Sequence, residues 1–296
     1  MKPQNNNELL IKFKRRLKAL MPKQYIFFKK NWYHLRYREM LTKLLGYKYR
    51  PNHNNIQIAV TFECNLGCIN CDMSAGLAPS KDRMSLQQII KFVNESIEKK
   101  RKWNIIAILG GEPAIHPQIF EIVNLILNYK KEHSPNTKIQ FFTNGFNTKV
   151  KEVIKRLPTE IDVLNSDKVS AVQSDFTFFN MAPIDYKICR GINYSNACMA
   201  TEGCGIGLTK YGYYPCIVAG GIDKVFGFDI GRKALPPIED PMTDQSKVLC
   251  RYCGHLMFYL NCFLQEDKQK IKRKISRSWE EAYNLYKKNI THLSDY

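Results

Sequence analysis

The 296-residue chain has a hydrophobic residue at 44% of its positions and a charged one at 24%, proportions that exclude a disordered or fibrous protein. Its net charge of +18 is concentrated at one end, because residues 1–50 contain 14 Lys or Arg and 2 Glu. The sequence therefore does not predict the broad basic surface of a nucleic-acid-binding domain.

Residues 1–52 form a basic segment. Between residues 8 and 50, Lys and Arg alternate with apolar and aromatic side chains such as Leu17, Phe27 and Trp32, which is typical of one or two amphipathic helices. Two interpretations follow: the segment packs on the outside of the main domain, or it contacts a membrane surface or an acidic partner.

The sequence also bears on location. No apolar run approaches the roughly 18 residues that span a bilayer, and the N-terminal pattern is not that of a signal peptide. We expect a cytoplasmic protein. In one of the two interpretations above, the basic segment also attaches it to a membrane surface. Thiols stay reduced in the cytoplasm, so the ten cysteines indicate metal ligands more than disulfides.

Residues 53–187 alternate between strand and helix patterns. Ser85 and Gln88 form a capping-box pattern at the start of the first helix, Pro117 favours the start of the second, and the third stops before Pro158. This alternation predicts an α/β fold with a parallel sheet, closed or partly closed as a barrel. The predicted strands are 56–63, 105–110, 138–143, 161–165 and 174–183.

Residues 188–265 are predicted to form a loop-rich, cysteine-rich second module. It contains a β-hairpin between Cys198 and Cys216, with Gly212 at its turn. Residues 266–296 are predicted to end the chain as a helix, because Ser278 and Glu281 form another capping-box pattern.

Cys64, Cys68 and Cys71 follow the first strand, at the edge of the sheet where βα loops build active sites. Three thiolates at these spacings can hold a [4Fe-4S] cluster and leave one iron without a protein ligand. A zinc site would normally close with a fourth Cys or His, and none follows nearby. The spacing resembles the Cys-x3-Cys-x2-Cys signature of the radical S-adenosylmethionine (SAM) superfamily.

That resemblance implies a partial (β/α)6 TIM-like barrel in which SAM chelates the open iron. It further implies reductive cleavage of SAM to methionine and a 5′-deoxyadenosyl radical, which abstracts a hydrogen atom from the substrate. A reducing partner such as flavodoxin or ferredoxin would supply the electron.

Further cofactor-binding candidates end the later strands. Glycine lets backbone approach a ligand closely, and Glu112 offers an anionic acceptor for an amine. Asn144 and Ser166 follow the third and fourth strands. In the family the residue before the third cysteine is often aromatic and contacts adenine, whereas this chain has Asn70. The segment that resembles the family's SAM-binding GGE motif is Gly110, Gly111, Glu112 and Pro113.

Seven cysteines follow residue 185: Cys189, Cys198, Cys204, Cys216, Cys250, Cys253 and Cys262. Their arrangement resembles the C-terminal twitch and SPASM extensions, which hold auxiliary iron–sulfur clusters. In a one-cluster pattern the ligands would be Cys198, Cys216, Cys250 and Cys253, with Cys204 competing for the first position. Two clusters, or a zinc or thiol-only site, remain alternatives, and the roles of Cys189 and Cys262 stay open.

The resemblance implies C–H activation with an auxiliary [4Fe-4S] cluster as electron acceptor. The favoured substrate is a polar, sugar-like small molecule, because residues 1–52 are too short for the leader-binding domain of a peptide-modifying maturase. Such a maturase is the alternative. An iron–sulfur electron-transfer protein is the non-enzymatic alternative, and the Gly-Gly-Glu segment argues against it.

Overall fold

A computed structural model describes residues 21, 24, 31–32, 34–170, 179–259, 274–289 and 292–296. Most of the predicted N-terminal amphipathic segment, part of the predicted strand 174–183, and Cys262 therefore lie outside the described residues. Within the described ranges, no helix is both long and apolar enough to cross a membrane.

In the part of the chain that the structure describes, six strands form one open sheet in the order β4-β3-β2-β1-β5-β6. Neighbours among the first five strands run parallel, and β6 is antiparallel to β5. The predicted α/β class with a partial, unclosed barrel is confirmed. The strands are β1 Asn55–Thr61, β2 Ile105–Gly110, β3 Lys138–Thr143, β4 Ile161–Asn165, β5 Ile206–Thr209 and β6 Gly212–Tyr214.

The helices of the described residues are α1 Glu39–Leu45, α2 Leu86–Glu98, α3 Ile119–His133, α4 Thr148–Arg156, α5 Met199–Cys204, α6 Ile217–Phe226, α7 Thr243–Leu249, α8 Gly254–Tyr259 and α9 Arg277–Lys287. Helices α2, α3 and α4 alternate with β1 to β4. Their buried apolar residues, such as Phe92 and Ile126, pack with strand residues such as Ile58 and Ile108 into the main core. The parallel strands therefore end together at one edge of a rigid sheet.

One of the two predicted capping boxes is confirmed. The Ser85 hydroxyl accepts the Gln88 N–H at 3.2 Å, and the Gln88 side chain accepts the Ser85 N–H at 2.9 Å. The prediction at Ser278 is wrong, because α9 already begins at Arg277 after Ser276. Ser276 is fixed there by tertiary contacts: its N–H bonds the Asn180 carbonyl and its hydroxyl accepts the Ala182 N–H.

The predicted hairpin is present as β5 and β6, and Gly212 opens its second strand with φ 127°. Its first strand pairs in parallel with β1, with Ile56 opposite Ile206, so the hairpin extends the main sheet. The following residues are helical in α6 and α7, which corrects the expectation of a loop-rich module. Residues 179–182 are also irregular where a strand was expected, and Pro183 opens a short 3-10 helix.

Candidate functional site

The first cysteine loop leaves the carboxyl end of β1. Cys68 is buried and Cys64 and Cys71 are half-buried. The Leu66 N–H donates to Cys64 Sγ at 3.4 Å, and Lys168 Nζ, from the loop after β4, lies 3.6 Å from Cys68 Sγ. Cysteine sulfurs that accept hydrogen bonds, one of them from an ammonium group, are suited to binding a metal cluster.

The two glycines of the Gly-Gly-Glu segment bring the ends of β1 and β2 together. A Cβ atom on Gly110 would lie 2.2 Å from the Thr61 carbonyl oxygen, and one on Gly111 would lie 2.2 Å from the Glu63 carbonyl oxygen. The Gly111 N–H donates to Thr61 at 2.8 Å and the Glu112 N–H donates to Glu63 at 2.9 Å. The structure thus gives these glycines a backbone-packing role, separate from any approach to a ligand.

Glu112 is fully buried and joins the ends of β2 and β3. Its carboxylate accepts the Thr143 hydroxyl at 2.8 Å, the Asn144 N–H at 2.7 Å and the Ala114 N–H at 3.1 Å. Burial raises its pKa, although these donors oppose the shift. A carboxylate has about four lone-pair positions, so one remains for an ammonium group.

The other cofactor-binding candidates lie at the same edge. The Asn144 side chain donates to Asn65 Oδ1 at 2.8 Å and so steadies the cysteine loop, while Ser166 is exposed and its hydroxyl donates to the Thr143 carbonyl at 3.1 Å. Pro113 is buried in a short 3-10 helix. Asn70 is buried in the left-handed region with φ 57°. The predicted contacts of Asn144, Ser166 and Pro113 with SAM stay predictions, and Asn70 stays a departure from the family's aromatic residue.

The second group of cysteines surrounds one cavity. The remaining lining side chains are aliphatic, apart from Thr201. Within the described ranges, no three His, Cys, Asp or Glu side chains form a group that could hold a metal ion. The cysteines lining it are Cys198, Cys216, Cys250 and Cys253.

The competing ligand candidates do not line this cavity. Cys204 is exposed at the end of α5 and does not line the cavity. Cys189 is buried and packs in the same hydrophobic cluster as Cys198 and Cys250, but it too is outside the cavity lining. Cys262 lies outside the described residues.

Burial raises the pKa of the Cys198 thiol to about 11 and that of Cys216 to about 12. It also raises the pKa values of Cys250 and Cys253, and the neighbouring thiols add to both shifts. At the first site, burial raises the pKa of Cys64 to about 11. Such thiols are protonated at neutral pH unless bound cations displace their protons.

The two cysteine groups are neighbours in space. Cys216 is the N-cap of α6, and a Cβ on Gly221 of this helix would lie 2.9 Å from the Asp72 carbonyl oxygen. His255, two residues after Cys253, places Nε2 3.1 Å from Asp72 Oδ1. Burial lowers the pKa of His255, but the Asp72 carboxylate outweighs this and raises it. The contact between His255 and Asp72 therefore joins the loop after Cys71 to the first turn of α8.

Sequence reasoning did not identify Lys168, His255 or Lys224. Lys224 is buried, donates to the Ala78 carbonyl at 2.7 Å, and has its pKa lowered by burial to about 8, against the opposing effect of Cys71. A charged residue within the apolar stretch 217–226 is the signal that could have revealed it. The two-residue spacing from Cys253 could have revealed His255, whereas Lys168 carries no sequence signal.

The cysteine loop lies at the carboxyl edge of a parallel sheet and is held there by the Gly-Gly-Glu exit from β2. Residues 58–165 match the model of the radical SAM superfamily.

Several curated proteins are similar to part of the chain. GTP 3′,8-cyclase of Aliarcobacter butzleri is 25% identical over 125 residues, which is 40% of this chain and 37% of that protein. GTP 3′,8-cyclase of Listeria welshimeri is 27% identical over 134 residues, 44% of this chain and 40% of that protein. Mouse molybdenum cofactor biosynthesis protein 1 is 27% identical over 148 residues, 48% of this chain and 21% of that protein. The chain thus spans well under half of these relatives.

One solved structure, BtrN in complex with AdoMet and 2-DOIA, aligns over 76% of this chain and 98% of that chain. The TM-score is 0.42 and the sequence identity is 17%.

Proposed function

We propose that the chain is a radical SAM enzyme with two iron–sulfur sites that removes a hydrogen atom from a C–H bond of a polar, sugar-like small molecule. Cys64, Cys68 and Cys71 would hold the SAM-binding [4Fe-4S] cluster. When bound, that cluster supplies the electron for reductive cleavage of SAM, and the resulting 5′-deoxyadenosyl radical takes the hydrogen atom.

The observation that carries the two-site proposal is the cavity lined by the four buried thiols of Cys198, Cys216, Cys250 and Cys253. A [4Fe-4S] cube binds each thiolate at a different iron, so its ligands surround a space. A zinc ion draws four ligands to one point. The cavity therefore favours an auxiliary [4Fe-4S] cluster, with Cys198 and not Cys204 in the first position.

The chain's own residues prepare both sites. Lys168 places its ammonium group beside the Cys68 thiolate, where it offsets negative charge. Asn144 fixes Asn65 and hence the backbone of the cysteine loop. Glu112 keeps one acceptor position for an ammonium group such as that of SAM. These contacts hold the first site rigid and partly buried, which reactive-radical chemistry requires.

The contact between the two sites supports a role for the second in the reaction. Helix α6 packs on Asp72, and His255 pairs with Asp72, so the cavity lies beside the SAM-binding loop. An auxiliary cluster held by Cys198, Cys216, Cys250 and Cys253 would supply an electron acceptor for the substrate radical. This pairing favours dehydrogenation of a small molecule; modification of a peptide is the alternative.

The test begins with anaerobic reconstitution and counting of iron and sulfide. We expect about eight irons per chain, and about four in both the Cys64/Cys68/Cys71→Ala and the Cys250/Cys253→Ala variants. Cys204→Ala is the matched control and should keep about eight. About twelve irons in the wild type would indicate two auxiliary clusters, and bound zinc in place of the second four irons would refute the auxiliary cluster.

Activity is tested on the same preparations. With dithionite, the wild type is expected to convert SAM to 5′-deoxyadenosine and methionine, and the Cys64/Cys68/Cys71→Ala variant is not. A fully loaded wild type that forms no 5′-deoxyadenosine would make the chain an electron-transfer protein. Deuterium transfer into 5′-deoxyadenosine from a panel of labelled sugars, aminocyclitols, nucleotides and peptides then identifies the substrate class.

A further inference from the structure

Some side chains of the segment around α1 bind it to the rest of the protein, and other side chains of the segment are apolar and exposed. Tyr37 is fully buried and its hydroxyl donates to the Ala197 carbonyl at 2.9 Å. Asn196 donates to the Thr42 hydroxyl at 2.7 Å and accepts the Lys48 N–H at 2.8 Å. The segment is therefore firmly attached to the cysteine-rich half of the molecule.

The opposite face of this attached segment exposes large hydrophobic side chains. Met40 and Leu44, one helical turn apart on α1, are each 76% exposed. Single exposed apolar residues are ordinary on protein surfaces, but several within fourteen residues are not. The exposed side chains, which we call the N-terminal apolar surface, are Trp32, Leu35, Met40, Leu44 and Leu45.

The charge around the N-terminal apolar surface has one dominant sign. Residues 34–50 contain five basic residues, among them Arg36 and Lys43, and a single acidic residue, Glu39. Residues 1–33 add nine Lys or Arg and one Glu. Exposed Met, Leu and Trp side chains bordered by Lys and Arg are the combination that binds the interface of an anionic lipid bilayer.

We propose that this surface docks the protein onto an anionic membrane, with Met40, Leu44 and Trp32 entering the headgroup region and the flanking Lys and Arg contacting lipid phosphates. The attachment of Tyr37 and Thr42 to residues 196–197 then holds the cysteine-rich half of the molecule beside the membrane.

The chain provides an internal reporter of docking. Of its three tryptophans, Trp103 and Trp279 are 2% and 0% exposed, whereas Trp32 is 55% exposed. Mixed phosphatidylglycerol–phosphatidylcholine vesicles should shift the tryptophan emission to shorter wavelength, and phosphatidylcholine vesicles should not. The shift should disappear in Trp32→Phe while co-sedimentation with the anionic vesicles persists.

The decisive variant is Met40→Glu/Leu44→Glu, which should reduce co-sedimentation with anionic vesicles at least about tenfold. Its matched control, Ile238→Glu/Leu285→Glu, changes the net charge equally at side chains that are 58% and 47% exposed, and it should bind like the wild type. Urea unfolding of both variants verifies that they fold.

Three outcomes would overturn the proposal. The first is a wild type that does not sediment with anionic vesicles, and the second is a Met40→Glu/Leu44→Glu variant that binds as well as the wild type. The third is a wild-type dimer that this variant converts to monomer in sedimentation equilibrium, which would make the surface a contact between two copies of the chain.

Discussion

Replacing Gly111 by alanine is expected to destabilise the fold by about 2–4 kcal/mol, whether or not SAM is bound. The new Cβ would lie 2.2 Å from the Glu63 carbonyl oxygen, a backbone atom that cannot rotate away. One of the two strand ends must therefore move by roughly 0.8 Å. That movement weakens the backbone hydrogen bonds from Gly111 to Thr61 and from Glu112 to Glu63. Each weakened bond lowers the free energy of unfolding by about 1 kcal/mol, and backbone strain lowers it by a similar amount.

The measurement is urea or thermal unfolding of apoprotein under anaerobic, reducing conditions, where the expected fall in Tm is about 5–15 °C. Gly203→Ala in α5 is the matched control, because its Cβ would have no heavy atom within 4 Å and alanine favours a helix. A Gly111→Ala apoprotein as stable as the wild type would refute the packing argument. The glycine would then be needed only where SAM binds.

Three further results are expected. Burial lowers the pKa of His116, so this histidine binds a proton more readily in the unfolded chain. The free energy of unfolding should therefore fall as the pH drops below about 6.5, by at most about 1.4 kcal/mol per pH unit. Urea unfolding at about pH 7.5 and 5.5 should show a smaller fall in His116→Gln than in the wild type, and an equal fall would contradict this. Lys168→Met should slow 5′-deoxyadenosine formation at least about tenfold and lower the reduction potential of the first cluster, whereas Lys168→Arg should keep most of the rate and of the potential. The potential is measured by a redox titration followed by electron paramagnetic resonance. Tyr214→Phe should lower the free energy of urea unfolding by about 1–3 kcal/mol, because the buried Asp223 carboxylate loses a hydrogen-bond donor at 2.7 Å. If the effects of Tyr214→Phe and Asp223→Asn add up in the double variant, the two side chains are not coupled.

The main sheet could be predicted because its signals are local. Strands β1, β2 and β3 are short apolar runs, each followed by a helix with apolar residues at helical spacing, and Ser85 behaves as its pattern predicts. The second capping-box prediction failed because contacts of Ser276 with residues 180 and 182 fix the start of α9. Sequence periodicity contains no information about such distant partners.

The hairpin illustrates the same limit at the level of topology. Alternation and Gly212 predict two antiparallel strands, but nothing in residues 206–214 indicates that β5 pairs with β1, about 150 residues earlier. An unpaired strand edge on β1 would expose its N–H and C=O groups. Pairing with β5 satisfies those groups, and it places Cys216, two residues after β6, beside Gly207 of β5.

At the site, the predicted cysteines are distributed as spacing alone allows: three on one loop, and four from three separate segments around one cavity. What spacing cannot supply is the relation between the two groups. That relation rests on α6 lying against the backbone of Asp72 and on the Asp72–His255 contact. Both contacts involve the residue directly after Cys71, so Asp72 connects the second cysteine group to the first. The two groups of cysteines therefore form one structural unit, and loss of either should alter the other more than their separation in sequence suggests.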